Sequence, residues 1–254
     1  MPSNINNIDL STEYTLWRIL AQKGWTIPYE GLPLTPVSGT DVDGTTIPAN
    51  SFTSVSTRHP WCFFDAGVKN TDRSRITVRR NGVVISAGGY LVDYKHKRVT
   101  FPSITTGTLT VDVETFAVDV TDGYPTAEVL QTSDLPIIAY EMETITGKPF
   151  AVGTAASDWS YRMNIDILAN DSGTRAGLVN DIMVQIVALP LLDMSEFKFL
   201  DANEDYNPHF NFDTQFRGNL RVGPRNVVLL HPRRGGSDKE RNRAFITFDV
   251  KNVE

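Results

Sequence analysis

Between Ser74 and Val120 the hydrophobic residues recur with a period of two, and this feature constrains the fold more than any other in the chain. Such alternation is typical of half-buried β-strands, whose successive side chains point to opposite faces of a sheet. Asn81-Gly82 separates two such runs and favours a tight hairpin turn, because both residue types accept positive φ. A second hairpin is predicted to turn at Lys95–Lys97. The segment therefore predicts consecutive antiparallel hairpins, as in an antiparallel sheet or small sandwich.

The strand pattern continues at residues 108–113, where Leu109, Val111 and Val113 are predicted to face inward and the polar residues between them outward. Ahead of the strands, the stretch DLSTEYTLWRILAQKGW predicts a helix that begins at an Ser11 N-cap and ends before Gly24. The stretch Pro28–Ser51 is rich in Pro, Gly, Thr and Asp and has no steady period. We interpret it as a long loop or an arm that reaches for a partner.

The second half of the chain has a mixed pattern. The runs 135–145 and 161–170 predict strands, and Gly177–Leu189 predicts a helix that Pro190 ends. Further strands are predicted at 196–207, 212–222, 226–232 and 243–250. Turn residues cluster at Thr121–Thr126, which we take as the domain boundary. The predicted fold class is α+β: residues 1–125 form an N-terminal helix, an extended arm and an antiparallel β module, and residues 126–254 form an α+β domain with antiparallel strands packed on a central helix.

Composition and charge exclude several classes of protein. The chain has 254 residues and a formal net charge of −6, so it lacks the chain-wide positive field that attracts nucleic acids. The single cysteine, Cys62, excludes an internal disulfide framework and fits a reducing compartment. The start MPSNINNIDL has neither a basic nor an apolar leader region, and no run has the length of a membrane span. We expect a soluble chain that is made in a cytoplasm.

The stretch from Arg162 to Pro190 places a glycine-bearing turn between a strand and a helix, the order found in a phosphate-binding loop. Gly173 and Gly177 are not followed by the Lys-Ser/Thr pair of such a loop, and the spacing is not GxGxxG. Asp171 or Ser172 is instead predicted to cap the helix. The helix carries one apolar stripe, comprising Leu178, Ile182, Ile186 and Leu189, which predicts packing.

Other candidate sites also have structural interpretations. Asp201–Asn207 spaces oxygen ligands like half of a calcium loop, but Tyr206 stands in place of the required glycine. The four histidines, His59, His96, His209 and His231, are scattered. Cys62 is expected to be buried, and Glu141 and Glu143 to share the polar face of a strand. We therefore predict no enzyme, no catalytic residues, no metal site and no cofactor, although a hydrolase built on carboxylates from distant strands remains an alternative.

The strongest local charge feature is HPRRGGSDKERNR, residues 231–243. Its basic residues outnumber its acids, and Gly235-Gly236 adds flexibility. Because it joins two predicted strands, we expect an exposed hairpin tip that contacts a polyanion or the acidic surface of a neighbouring subunit. A solvated loop is the alternative. The predicted interface or channel-facing residues are Arg233, Arg234, Lys239, Arg241 and Arg243.

The order LPIIAYEMETI, GKPF, SYRMNIDILANDSGTRAGLVNDIMVQIVALPLL and closing antiparallel strands resembles the tail-terminator and related neck proteins of tailed bacteriophages. The first half, with RRNGVVISAGGYLVDYKHKRVTF, is similar to the small β-rich modules of phage neck and tail proteins. The resemblance implies a virion structural protein made in the host cytoplasm. It implies a homo-oligomeric ring, six-fold, that ends the tail tube and joins it to the head–tail connector.

The partners implied by this resemblance are further copies of the chain, the tail-tube protein, a head-side connector or stopper protein, and genomic DNA in the lumen; no membrane is implied. An alternative is a β-sandwich module that binds a glycan or a receptor through exposed aromatic residues such as Tyr90, Tyr94 and Trp61. A ring subunit and a binding module make different use of residues 126–254, since only the ring subunit requires them.

Overall fold

The computed structural model describes residues 5–40, 44, 46–54, 61–63, 76–103, 105–125, 135–149, 157–200, 207, 209–230 and 242–251. The chain is rich in strands and has few helices, in agreement with the predicted α+β class in its broad sense. It forms two compact units: unit 1 comprises residues 1–19, 118–197 and 212–254, and unit 2 comprises residues 20–117 and 198–211. Neither unit is one continuous segment.

The helices and strands follow one another in this order. The first half contains α1 (Ile5–Gln22), β1 (Thr26–Pro33), β2 (Thr35–Val37), β3 (Ser51–Thr53), β4 (Ile76–Arg80), β5 (Val83–Val84), a 3-10 turn (Ala87–Gly89), β6 (Leu91–Asp93), β7 (Arg98–Thr100), β8 (Leu109–Phe116) and β9 (Asp119–Asp122). The second half contains β10 (Ile137–Pro149), β11 (Ser157–Ala169), α2 (Ser172–Gln185), β12 (Ala188–Leu192), α3 (Phe212–Gln215), β13 (Phe216–Leu230) and β14 (Asn242–Lys251).

Unit 1 is built on one six-stranded sheet with the strand order β12-β13-β14-β11-β10-β9. Neighbouring strands are antiparallel except for β9 and β10, which are parallel. One face of the sheet, which we call the helix-bearing face, carries the buried side chains Tyr140, Ile165 and Ile246. Burial of this apolar face supplies the main favourable contribution to the folding free energy of the unit.

Helix α1 reaches the helix-bearing face through polar contacts as well as apolar ones. The Tyr140 hydroxyl donates to Glu13 at 3.0 Å, and the backbone N–H of Leu192 donates to the Ser11 hydroxyl at 3.0 Å. Ser11 is thus a buried residue inside the helix, and the predicted N-cap at Ser11 is wrong. Its hydroxyl donates to the Asn7 carbonyl one turn earlier, so the serine is satisfied without ending the helix.

Helix α2 has the predicted N-cap, but it begins before the predicted Gly177 and ends before the predicted Leu189. Asp171 is the N-cap, and its carboxylate accepts from the backbone N–H of Thr174 at 2.8 Å. The helix stops at Gln185, so the prediction that Pro190 ends it is wrong. Pro190 lies instead in β12, an edge strand whose outer N–H groups need no partner within the sheet. Leu178 and Ile182 are buried on the helix, as the apolar stripe predicted.

Unit 2 contains two four-stranded sheets with the orders β1-β8-β4-β5 and β2-β3-β7-β6. Asn81 and Gly82 have φ values of 50° and 81°, which confirms the predicted hairpin turn between β4 and β5. The second predicted hairpin is formed by β6 and β7 around Lys97, which has φ 56°. Leu109, Val111 and Val113 are buried along β8, as the alternation predicted.

The structure corrects the interpretation of Pro28–Ser51 as a long loop or an arm. Within its described residues, β1 pairs with β8, and β2 pairs with β3. The prolines and glycines that hid these strands are tolerated because β1 and β2 are edge strands, and β1 has a register shift between Tyr29 and Leu32. Strands β1 and β2 are therefore part of the sheets of unit 2.

The division into units also differs from the predicted domains 1–125 and 126–254. Most of α1 belongs to unit 1, and residues 198–211 belong to unit 2 although they follow α2 in the chain. This segment inserts Phe199 and Phe210 into an aromatic cluster of unit 2, with Phe199 6.2 Å from Phe63 between ring centroids. The described residues of the strand predicted at 196–207 form no named strand.

In the described ranges, no helix is long and apolar enough to span a membrane.

Candidate interaction surface

Strand β13 is longer than the strand that covers it. Its 15 residues run from Phe216 to Leu230, and β12 pairs only with Phe216–Arg221. From Asn226 to Leu230, β13 pairs with β14 on one side, and in the described part of the chain no strand lies on the other. We call Asn226–Leu230 the open edge. Backbone N–H and C=O groups along such an edge can pair with a strand of another chain.

The side chains of the open edge are apolar on both faces of the sheet. Val227 and Leu229 share a face with Ile246 and Ala244, and Val228 and Leu230 lie on the opposite face. All four are exposed, with exposed fractions from 37% to 49%. A strand that is apolar on both faces is typical of the interior of a covered sheet. Its exposure here marks an interaction surface more strongly than scattered single residues would.

Helix α2 runs beside the open edge on the helix-bearing face. Near its start, the Arg175 guanidinium donates to the Leu230 carbonyl at 3.5 Å. Near its end, Arg225 donates to the carbonyls of Met183 and Ile186, and so satisfies acceptors that the helix C-terminus leaves free. Val184 and Val187, at this end of the helix, are 56% and 65% exposed. The apolar surface therefore extends beyond the strand.

Arg243, one of the predicted interface residues, lies in β14 and not at a loop tip. It stands opposite Leu168 and Leu230 in the sheet. Its Nε donates to Asp166 at 2.6 Å, and its guanidinium lies 4.5 Å from the ring centroid of Tyr124. The Asp166 side chain is 7% exposed, so Arg243 compensates a buried carboxylate. The other four predicted residues, Arg233, Arg234, Lys239 and Arg241, lie outside the described residues.

Arg243 belongs to a row of polar pairs on the face of the sheet opposite the helix-bearing face. The row continues with Thr247, which donates to Asn164 at 3.2 Å, and ends with Arg162, which donates to Asp249 at 3.2 Å. Exposure increases along the row, since the Arg162 and Asp249 side chains are 51% and 42% exposed. This face therefore combines a buried charge pair at one end with a solvated pair at the other.

A second group of polar residues lies between α1 and the β9 side of the same sheet. Asp9 and Glu13 of α1 approach Tyr140 of β10 and Asp122 of β9. Burial, and then the Asp122 charge, raises the pKa of Asp9 to about 6. Burial, and then the charges of Glu13 and Asp122, raises the pKa of Tyr140, which remains a hydrogen-bond donor at neutral pH. The β9 edge of the sheet is therefore acidic.

The remaining sequence candidates have these positions. Glu141 is exposed on β10, and Glu143 is exposed at a register shift of the same strand. In the turn between β6 and β7, the backbone N–H of His96 donates to the Asp93 carboxylate at 2.9 Å, and the ring Nδ1 of His96 lies 2.9 Å from the same carboxylate. Cys62 is 1% exposed, which confirms the buried thiol. His59, His231 and Asp201–Tyr206 lie outside the described residues. Over the described ranges, no three His, Cys, Asp or Glu residues are grouped as metal ligands would be.

The structure corrects the prediction that the aromatic residues named for a glycan-binding module are exposed. Trp61, Tyr90 and Tyr94 are 0%, 3% and 3% exposed, so they belong to the core of unit 2 and not to a binding surface. Their positions follow from packing, since Tyr90 meets Phe101 and Tyr94 meets Phe63 at centroid distances of 6.3 Å and 6.4 Å. Aromatic rings of this size contribute most when buried together.

Comparison with known protein families found no family model that matches the chain, and comparison with curated proteins found no significant match. The surface must therefore be interpreted from its own geometry. The sequence contained one signal for the open edge: the run NVVLL in residues 226–230 does not alternate. Such a run predicts a strand buried on both faces, and only the strand order shows that this one is exposed.

Proposed function

We propose that this chain is a structural protein of a tailed-phage neck, which forms a homo-oligomeric ring that terminates the tail tube and joins it to the head–tail connector. The observation that carries the proposal is the element order of unit 1. Two long antiparallel strands, β10 and β11, lead to α2, and three further antiparallel strands follow. This is the order on which the resemblance to tail-terminator proteins rests.

The surface of unit 1 supports an assembly role. A ring subunit needs two surfaces that fit each other head to tail, so that each copy uses one surface on either neighbour. The sheet has two different edges, an apolar one at β13 and an acidic one at β9. A rigid sheet is also a suitable carrier, because pairs of strands as long as β10 and β11 hold their edges in fixed relative positions.

The basic segment 231–243 contributes to the proposal through its sequence alone. Arg243 is occupied by Asp166, so the charge that remains for a partner lies in Arg233, Arg234, Lys239 and Arg241. We assign these four to contact with an acidic neighbour or with the phosphates of DNA in the lumen, without base recognition. Such a contact weakens as salt concentration rises, because phosphate binding releases counterions.

The test is quantitative mass spectrometry of purified tailed particles from the source, with the copy number of this chain measured against the tail-tube and portal proteins. The proposal expects one ring of copies per particle. Gold-labelled antibodies against the chain should then mark the junction between head and tail in electron micrographs. Absence of the chain from the particle, or labelling along the whole tail, would overturn the neck assignment.

A further inference from the structure

We infer that the open edge of β13 binds the β9 edge of a second copy of this chain, so that the six-stranded sheets of neighbouring copies continue into one another. The inference rests on the proposed function, because it names the two surfaces through which the ring would close. Four independent features of unit 1 lead to it: the outward-directed backbone groups of β9, the apolar side chains of the open edge, the charges of the two edges and their strand directions.

The first feature is the backbone of β9. The N–H of Asp119 donates to the Pro136 carbonyl at 3.2 Å, and the N–H of Gly123 donates to the Tyr140 carbonyl at 2.8 Å. Since alternate residues of a strand direct their N–H and C=O groups to opposite sides, Val120 and Asp122 direct theirs away from β10. In the strand order, β9 is the last strand, so these groups lie at the edge of the sheet.

The second feature is the match in length between the two edges, together with the apolar side chains that a strand beside the open edge would cover. The open edge has five residues, Asn226–Leu230, and β9 has four. A strand beside the open edge would cover Val227, Val228, Leu229 and Leu230 on both faces, and so remove apolar surface from water. It would lie on the same side of β13 as β12, whose pairing with β13 stops at Arg221, before the open edge begins. The open edge and β9 therefore differ in length by one residue.

The third feature is charge, and it favours a second copy as the occupant. Arginines flank the open edge at Arg175, Arg221 and Arg225, and β13 contains no acidic residue. β9 contains Asp119 and Asp122 and no basic residue, and Asp9 adds a carboxylate beside Asp122. The two edges of one sheet thus carry opposite charges. Complementary charges steer association and fix its register.

The fourth feature is strand direction. Four antiparallel pairings and one parallel pairing separate β12 from β9, and they leave β9 and β13 running in opposite directions. When a second copy continues the sheet in the same orientation, its β9 meets β13 as an antiparallel neighbour. Antiparallel pairs are the commoner type and need no crossover connection. The contact is heterologous, and such contacts close into rings or extend into filaments.

The experiment uses two variants of the full chain. Val228→Lys with Leu229→Lys places a charge on each face of the open edge, and Asp119→Lys with Asp122→Lys reverses the charge of the β9 edge. Mass distributions are measured by analytical ultracentrifugation. The wild-type chain is expected to associate, and each variant alone is expected to lose this association and remain monomeric at the same concentration.

The decisive measurement is the mixture of the two variants. The β9 variant keeps an intact open edge, and the open-edge variant keeps an intact β9, so each mixed pair has one functional contact. A head-to-tail interface therefore predicts dimers in the mixture and none in either variant alone. Val83→Lys with Val84→Lys is the matched control, because these residues are 71% and 57% exposed on β5 of unit 2 and should not affect assembly.

Three results would overturn the inference: an open-edge variant that assembles like the wild type, a β9 variant that assembles normally, or a wild-type chain that stays monomeric at about 100 µM. Circular dichroism checks that the variants fold; if lysines unfold the chain, Val228→Ser with Leu229→Ser replaces them. None of these results bears on the copy number in particles. The inference can therefore fail while the neck assignment stands, and the reverse.

Discussion

The two units of the molecule solve the problem of burying a core in different ways. Unit 1 has strands of 13 to 15 residues in one sheet, and its buried side chains are mainly aliphatic, as at Ile165, Ile167 and Ile246. Among the described residues of unit 2, no strand exceeds eight residues, and several strands have two or three. Unit 2 instead buries a group of aromatic rings, which includes Trp61, Phe63, Phe116 and Phe199.

This difference predicts which substitutions destabilise each unit most. A long ladder distributes its hydrogen bonds and apolar contacts over many residues, so that one truncated side chain removes a small share. Short strands form few ladder contacts, and unit 2 therefore depends on a few large rings and on turns that fix strand register. We expect single substitutions to have larger effects at the aromatic residues of unit 2 than at the aliphatic residues of unit 1.

The largest effect is expected from Phe199→Ala. The ring is 1% exposed and lies 6.2 Å and 6.3 Å from the rings of Phe63 and Phe210, so its removal leaves a cavity in unit 2. We expect the free energy of unfolding to fall by about 3–5 kcal/mol. Hydrogen exchange measured by mass spectrometry should show faster exchange in β8 than in the wild type, with β11 still protected.

Two controls sharpen this prediction. Phe199→Leu keeps most of the volume and should cost about 1 kcal/mol, and Ile165→Val in unit 1 should cost about the same. Equal loss of protection in β8 and β11 after Phe199→Ala would mean that the two units unfold as one, and the comparison between them would not hold.

The next largest effect is expected from Arg243→Ala in unit 1. The substitution leaves the buried carboxylate of Asp166 without its guanidinium partner and should lower the free energy of unfolding by about 2 kcal/mol. Chemical denaturation of the wild type and the variant measures this change in the free energy of unfolding. Arg162→Ala is the matched control on the same face, and because the Arg162–Asp249 pair is solvated it should cost less than about 0.5 kcal/mol. Equal costs would show that burial of the pair is unimportant.

Asp9→Asn is expected to stabilise unit 1 in a pH-dependent way. The pKa of Asp9 is raised from 3.8 to about 6 in the folded chain, so folding favours the protonated form. This contribution is fully present below pH 3.8 and is lost as pH rises through 6. At neutral pH the variant should therefore be more stable than the wild type by about 1–2 kcal/mol, since water partly screens the half-buried carboxylate.

The measurement is the free energy of unfolding of wild type and Asp9→Asn across this pH range. The two curves should converge below pH 4, where Asp9 is protonated in both states of the wild type. A gap of constant size at every pH would show that the substitution acts through packing or helix propensity and not through ionisation.

The smallest effect is expected from Gly82→Ala at the turn between β4 and β5. Gly82 has φ 81°, which an alanine adopts at a cost of about 1 kcal/mol. Gly88→Ala is the matched control, because Gly88 lies in open space and has no positive φ. Thermal melting should separate the two variants. If both are neutral, unit 2 does not depend on this turn, and its register is set elsewhere.

Local patterns in the sequence predicted the parts of the fold that depend on local geometry. Asn81-Gly82 predicted its hairpin because few other residues accept positive φ, and Asp171 predicted the start of α2 because its carboxylate can satisfy a free N–H. The alternation at Leu109, Val111 and Val113 predicted the inward face of β8 because side chains of a strand alternate. Each of these results needs only a few neighbouring residues.

The same reasoning failed where distant pairing overrides local preference. Pro28 and Gly31 indicated a loop, but β1 forms because β8 offers an edge to which it can pair. Ser11 indicated a helix start, but it is a buried residue within α1, and its hydroxyl accepts a hydrogen bond from the distant Leu192 N–H. No local signal assigned Phe199 to the core of unit 2, because its ring neighbour Phe63 lies far earlier in the chain.

The features of the candidate surface also divide into those that the sequence predicts and those that depend on the fold. The residues alone predict that NVVLL is a strand, that DVTD at β9 is acidic and that 231–243 is basic, because strand preference and charge are properties of the residues themselves. That no described strand pairs with the outer side of NVVLL follows only from the fold, since it depends on where β12 stops. Only the strand order placed the apolar and acidic edges on opposite sides of one sheet, because pairing between strands distant in the chain sets that order.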